Sequence, residues 1–244
     1  MLDNSRSNYI QTGDKIMENL KSNKLILGKV IFSMGIIMLT WALFWYPFDY
    51  FIFSENLSTQ IEHLLAISRE YLRMLPAIFF LIHYRDSIKT NFKELFSLKF
   101  NYKWFLITLF VFVAYISAHS YFTKGKICFN PQKMMPYDML LSFNLGLCQE
   151  LVFRGWSFNA FKEVTSQKNA VILSSAFFSA SHWFAHFFMF FNNQFNLVYF
   201  ILVTIFTFIF GILMCFIIIK TKSKSIVPLV ILHTVWDFLA AATH

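Results

Sequence analysis

Uncharged runs of membrane-spanning length recur along the chain. Residues 30–48 and 104–122 contain no Asp, Glu, Lys or Arg, and a span needs about 20 mostly apolar residues. Residues 169–219 also lack any of these charges. That stretch is too long for one crossing and suits a hairpin of two, turning at Asn192, Asn193, Gln194 and Asn196. Residues 225–241 predict a last span. Two further segments carry charge inside an apolar frame. Residues 59–84 hold Glu62, Arg69, Glu70 and Arg73 before the uncharged run 74–84, where Pro76 is a candidate kink. Residues 138–161 hold Glu150 and Arg154 near their middle. With both counted, the pattern predicts an all-α, polytopic membrane helix bundle of about seven transmembrane helices.

Composition agrees with that pattern. The 244 residues are 57% hydrophobic and only 14% charged, with a mean hydropathy of +0.54, whereas a soluble domain is about half apolar and about a quarter charged. A water-soluble globule and a disordered chain are excluded. The net charge of +8 is spread thinly between apolar blocks and forms no nucleic-acid motif. It reads as membrane topology. Of the 21 Lys and Arg, fifteen fall in the loops on one side of a seven-crossing model, three (Lys124, Lys126, Lys133) on the other, and three within spans. This places the N-terminus in the cytoplasm and His244 outside. Residues 1–24 are polar, without a small-residue cleavage site, and read as a cytoplasmic N-terminal segment rather than a signal peptide. Residues 25–137 follow as N-terminal transmembrane helices and 138–244 as a C-terminal helix bundle. Cys128, Cys148 and Cys215 have neither disulfide nor metal-site spacing.

Ionisable groups inside spans are costly and mark function by default. Here they fall in pairs four residues apart, which share one helix face: Glu150 with Arg154, His182 with His186, His233 with Asp237. At 1.5 Å per residue, Glu150 lies about 16 Å from the cytoplasmic end of its span and His182 about 20 Å. His233 and Asp237 lie about 12 and 18 Å in. Three helices thus bring polar pairs to nearly one level. Glu150 with Arg154 taken alone could be a structural ion pair, and His83 and His119 read as packing residues. His186 lies one turn beyond His182, toward the outer half.

A carboxylate or amide, two imidazoles and a further carboxylate, held dry, suit activation of a water and stabilisation of a tetrahedral oxyanion. His182, His186, His233 and Glu150 would alternatively suffice for a divalent metal such as zinc, so the residues leave open whether the cofactor is a metal or none. Either arrangement hydrolyses a carbonyl compound, most simply a peptide bond. A proton-coupled transporter would keep similar groups at the midplane, but matched Gly/Pro-broken helices are missing from the sequence.

Gln149-Glu150-x-x-x-Arg154, Phe178-x-x-x-His182 and His233-x-x-x-Asp237, in that order over about residues 138–241, resemble the CPBP family. That family comprises CAAX prenyl protease type II and bacteriocin-processing (Abi) intramembrane proteases, whose first motif is Glu-Glu-x-x-x-Arg. The resemblance implies that position 149 activates water with His182, and that His233 and position 237 form the oxyanion site. It also implies that Glu150 with Arg154 buttress the site and that Phe178 lines it. Two positions depart from the pattern: Asp237 replaces the usual Asn, and Gln149 stands where the family has its catalytic Glu. An amide keeps the volume but accepts no proton. Gln149 could therefore be an inactivating substitution in a peptidase, natural or engineered. It could instead mark a non-catalytic membrane protein acting in peptide binding, immunity or partner regulation, or an enzyme whose base is Glu150. The first is favoured, since a Glu150 paired with Arg154 is held ionised and aimed at a cation. The implied substrate is a hydrophobic or lipidated peptide, such as a leader, pheromone or bacteriocin precursor, or a prenylated C-terminus. The other expected partners are membrane lipids, with no nucleic acid. Low Gly and Pro with abundant Phe, Ile, Lys and Asn point to an AT-rich bacterial genome and to a multi-pass protein of the cell membrane.

Overall fold

A computed structural model describes residues 25–44, 58–127, 129–131, 134–191 and 195–243. The cytoplasmic segment predicted for 1–24, residues 45–48 of the first predicted span, the hairpin residues Asn192, Asn193 and Gln194, and Lys133 lie outside the described residues. All regular structure among the described residues is helical. In chain order it runs α1 (Leu25–Phe44), α2 (Thr59–His83), α3 (Arg85–Ile88), α4 (Phe92–Leu95), α5 (Tyr102–Lys124) and α6 (Pro136–Glu150). A π-helical stretch (Leu151–Phe158) continues α6 directly into α7 (Asn159–Val164), followed by α8 (Gln167–Ser181), α9 (Trp183–Phe191), α10 (Leu197–Lys220) and α11 (Val227–Thr243).

Local chemistry sets several of these boundaries. Asn101, Ser166 and Asn196 each accept a hydrogen bond from a backbone N–H in the first turn of α5, α8 and α10, satisfying donors that a helix start leaves open. Gly125 ends α5 in the left-handed conformation, at φ 70°. Three helices, α1, α5 and α10, are long and apolar enough to cross a membrane, and α11 is a shorter apolar helix of 17 residues. The other predicted spans are helical too, but they carry charges or interruptions. α2 runs through Pro76 and carries Glu62, Arg69, Glu70 and Arg73, while α6 and its π continuation carry Glu150 and Arg154.

One predicted helix is divided. The fifth predicted span stops at Ser181, turns at His182 and restarts at Trp183. The Ser181 hydroxyl and the His182 ring both bond the Phe178 carbonyl, at 2.7 and 2.9 Å, and these side chains compete with the backbone donor that would continue the helix. His182 and His186 therefore do not share one uninterrupted helix face.

A cluster of polar side chains sits within the apolar core, and large apolar side chains face outward. Phe32, Leu39, Phe110, Phe122, Val198 and Ile209 are exposed on α1, α5 and α10, whereas Arg73, Glu150, Arg154, Ser174, Ser175 and Ser181 are fully buried. Every residue of the π stretch is buried. α6 lies against α2 on one side and α11 on the other, while α8 packs on the π stretch and α10. The Trp156 indole N–H donates to Ser33 Oγ at 3.0 Å and fastens α1 to the π stretch.

Candidate functional site

Glu150 closes α6, and Arg154 follows within the π stretch. A π turn displaces backbone carbonyls from their usual partners. Asn159 gathers two of them, its Nδ2 donating to the carbonyls of Arg154 and Gly155 at 3.0 and 3.1 Å. So supported, the Arg154 guanidinium donates to Glu150 Oε1 at 3.3 Å and to the Gly211 carbonyl of α10 at 3.2 Å. It also lies 4.5 Å over the Phe178 ring, a favourable seat for a cation. Both charges are wholly buried, so each depends on the other.

His233 joins the pair from α11. Its Nδ1–H donates to Glu150 Oε1 at 2.7 Å, and Nε2 faces the Asp237 carboxylate at 3.6 Å, too long for a hydrogen bond and attractive when the ring carries both protons. Gly146, one turn before Glu150, permits this approach: a Cβ there would meet His233 Cβ at 3.3 Å and Thr234 Oγ1 at 3.2 Å.

Phe178 connects the two histidines. Its ring stands edge-on to His182 at 4.9 Å and to His233 at 6.1 Å. His182 sits at the break after α8 with Nδ1 on the Phe178 carbonyl. A carbonyl only accepts, so the proton of the neutral ring is on Nδ1 and Nε2 keeps its lone pair. Arg154, Arg73 and His233 all lie within electrostatic range of His182.

Gln149 is buried beside Glu150 with no hydrogen bond to either histidine, and its Oε1 has no hydrogen-bond partner among the described residues. His186 is not part of the cluster; it lies on α9 against the rings of Tyr199 and Phe200, at 5.5 and 5.3 Å. Among the described residues no group of three or more His, Cys, Asp or Glu side chains is placed to hold a metal ion. The candidate donor set Glu150, His182, His186 and His233 does not fit one, because His186 faces other rings on α9 and Glu150 Oε1 is taken by Arg154 and His233.

Sequence reasoning missed a second buried ionic cluster. On α2, Glu70 Oε1 receives Arg73 Nη1 at 2.6 Å and Arg69 Nε at 3.0 Å. The Arg73 guanidinium lies 3.8 Å over the Trp41 ring, and Trp41 in turn meets Phe153 edge-on at 5.2 Å. Glu70 and Glu150 both lie within electrostatic range of Asp237. The i, i+3 spacing of Glu70 and Arg73 was the available signal.

Residues 131–239 match the family model described as type II CAAX prenyl endopeptidase Rce1-like. No curated protein and no solved structure matches the chain.

Proposed function

We propose, from the match of residues 131–239 to the Rce1-like type II CAAX prenyl endopeptidase family model, that the chain is the scaffold of an intramembrane endopeptidase of the CPBP/CAAX family that cleaves a hydrophobic or lipidated peptide with an activated water. In this chain the reaction is slowed or stopped at Gln149. The observation that carries the reading is the engagement of Glu150, whose Oε1 is shared by Arg154 and His233. That oxygen holds the site together, while Oε2 is buried without a hydrogen-bond partner among the described residues and makes no hydrogen bond to either histidine.

The residues divide the work as follows. His182 presents its bare Nε2 as an acceptor that orients the water, and position 149 is where a carboxylate would remove the proton. His233 and Asp237 face the developing oxyanion. His233, held on Glu150 through Nδ1–H, donates there from Nε2–H when its ring carries both protons, and Asp237 orients it. Arg154 and Phe178 fix Glu150 and the two rings. About seven crossings, with the N-terminus in the cytoplasm and the C-terminus outside, complete the proposed arrangement in a bacterial cell membrane.

Incubating the Gln149→Glu form in liposomes with unmodified leader-type peptides and with prenylated C-terminal peptides tests both activity and substrate class. Cleavage of either supports the peptidase reading and names the substrate. No cleavage of either, with retained peptide binding, supports a non-catalytic peptide-binding protein.

A further inference from the structure

At one end of the bundle, below the π stretch, a cavity of about 310 Å³ opens between α7, the start of α8 and the α10–α11 turn. Its rim carries Lys162, Lys222 and Lys224, no carboxylate is among its lining residues, and its floor is Phe158, Ile218 and Ile219. We propose that this cavity binds the phosphate headgroup of an anionic phospholipid.

The described carboxylates at this end are already engaged, Asp86 with Arg85 at 3.6 Å. Glu94 pairs with Lys224 at 3.3 Å and Glu163 with Lys89 at 2.8 Å. Lys162 and Lys222 make no ion pair and no side-chain hydrogen bond among the described residues, so their charge is uncompensated. Lys222 also holds a left-handed backbone, at φ 53°. That region is sparsely populated by residues other than Gly, Asn and Asp, and such residues cluster at functional sites. The Lys224 ammonium donates to the Lys89 carbonyl and fixes the far edge of the rim.

Position selects a lipid over a soluble anion. The cavity sits at the C-terminal end of α10, a 24-residue apolar helix, where the headgroup layer of a spanned bilayer would lie. An apolar floor under a lysine rim matches a phosphate with its glycerol and first methylenes. Basic pockets between transmembrane helices take anionic headgroups for this reason.

The test uses the full chain in phosphatidylcholine micelles, titrated with phosphatidylglycerol, with bound lipid counted by native mass spectrometry. Each lysine near an anionic headgroup is worth about fivefold in affinity, so Lys162→Gln with Lys222→Asn should weaken retention by roughly 25-fold. Asn tolerates the left-handed backbone, so the turn keeps its shape. The control pair is Lys99→Gln with Lys103→Gln, at the same end, where the Asn101 N–H donates to the Thr221 carbonyl at 3.1 Å. That pair removes equal charge and should change retention less than about twofold. Equal loss in the control, or no preference of the unmodified chain for phosphatidylglycerol, would overturn the proposal. Displacement of the lipid by millimolar inorganic phosphate would overturn it too, by making the cavity a soluble-anion site.

Discussion

Replacing Arg154 and Glu150 singly and together tests whether they stabilise the site as one unit. Arg154→Met leaves the wholly buried Glu150 with His233 as its remaining partner. Breaking a buried pair from one side costs about 3–5 kcal/mol. Glu150→Met strands the guanidinium between the Phe178 ring and the Gly211 carbonyl, at a similar cost. It also leaves the His233 Nδ1–H without its acceptor, a further loss of about 1–3 kcal/mol. The double replacement removes both charges and fills the volume with apolar atoms, a change that is often close to neutral. The double variant should therefore be more stable than either single one, with a coupling of at least about 2 kcal/mol. Unfolding in mixed micelles with increasing denaturing detergent, followed by tryptophan fluorescence, measures all four forms. Single effects that add to within about 0.5 kcal/mol would refute the interdependence of the two charges.

Three further outcomes are expected. His186→Ala should leave cleavage by the Gln149→Glu form intact, whereas His182→Ala abolishes it; stoichiometric zinc that disappears with His186 would contradict the placement of His186 outside the cluster. Gly146→Ala puts a Cβ 3.3 Å from His233 Cβ; in the Gln149→Glu background it should lower turnover by at least about tenfold and destabilise by about 1–3 kcal/mol. Reporter fusions active only outside the cytoplasm should be silent after Lys103 and Lys224 and active after Pro131 and His244, and activity after Lys224 would contradict the seven-crossing arrangement.

Much of the bundle is legible in the sequence because lipid-facing helices are written as absence of charge. α1, α5 and α10 fall on uncharged runs bounded by lysines near their ends, and the shorter α11 is apolar around His233 and Asp237. The site residues are legible as polar positions repeated at four-residue spacing in an apolar frame. Their partners are not: Glu150 and His233 are 83 residues apart, and no local pattern says that the carboxylate meets both a guanidinium and an imidazole. The break at His182 escapes a periodicity argument because the Ser181 and His182 side chains cause it by competing for one carbonyl. The π register of Leu151–Phe158 escapes for a related reason, since Asn159 stabilises it from outside the turn. Glu70 and Arg73 look like blemishes in a span until Trp41 and α6 are seen to enclose them.

Position 149 carries the functional account, and turnover there tests it most directly. Steady-state cleavage of a membrane-associated peptide in liposomes should be compared for the unmodified chain, Gln149→Glu, and Gln149→Glu combined with His182→Ala or His233→Ala. A positioned general base contributes about 10²–10⁴-fold, so Gln149→Glu should raise kcat by at least about two orders of magnitude with KM nearly unchanged. Either histidine replacement should abolish the gain, as groups acting as a unit do. Equal, appreciable activity with Gln or Glu at position 149 would contradict the account and move the base to Glu150 or His182.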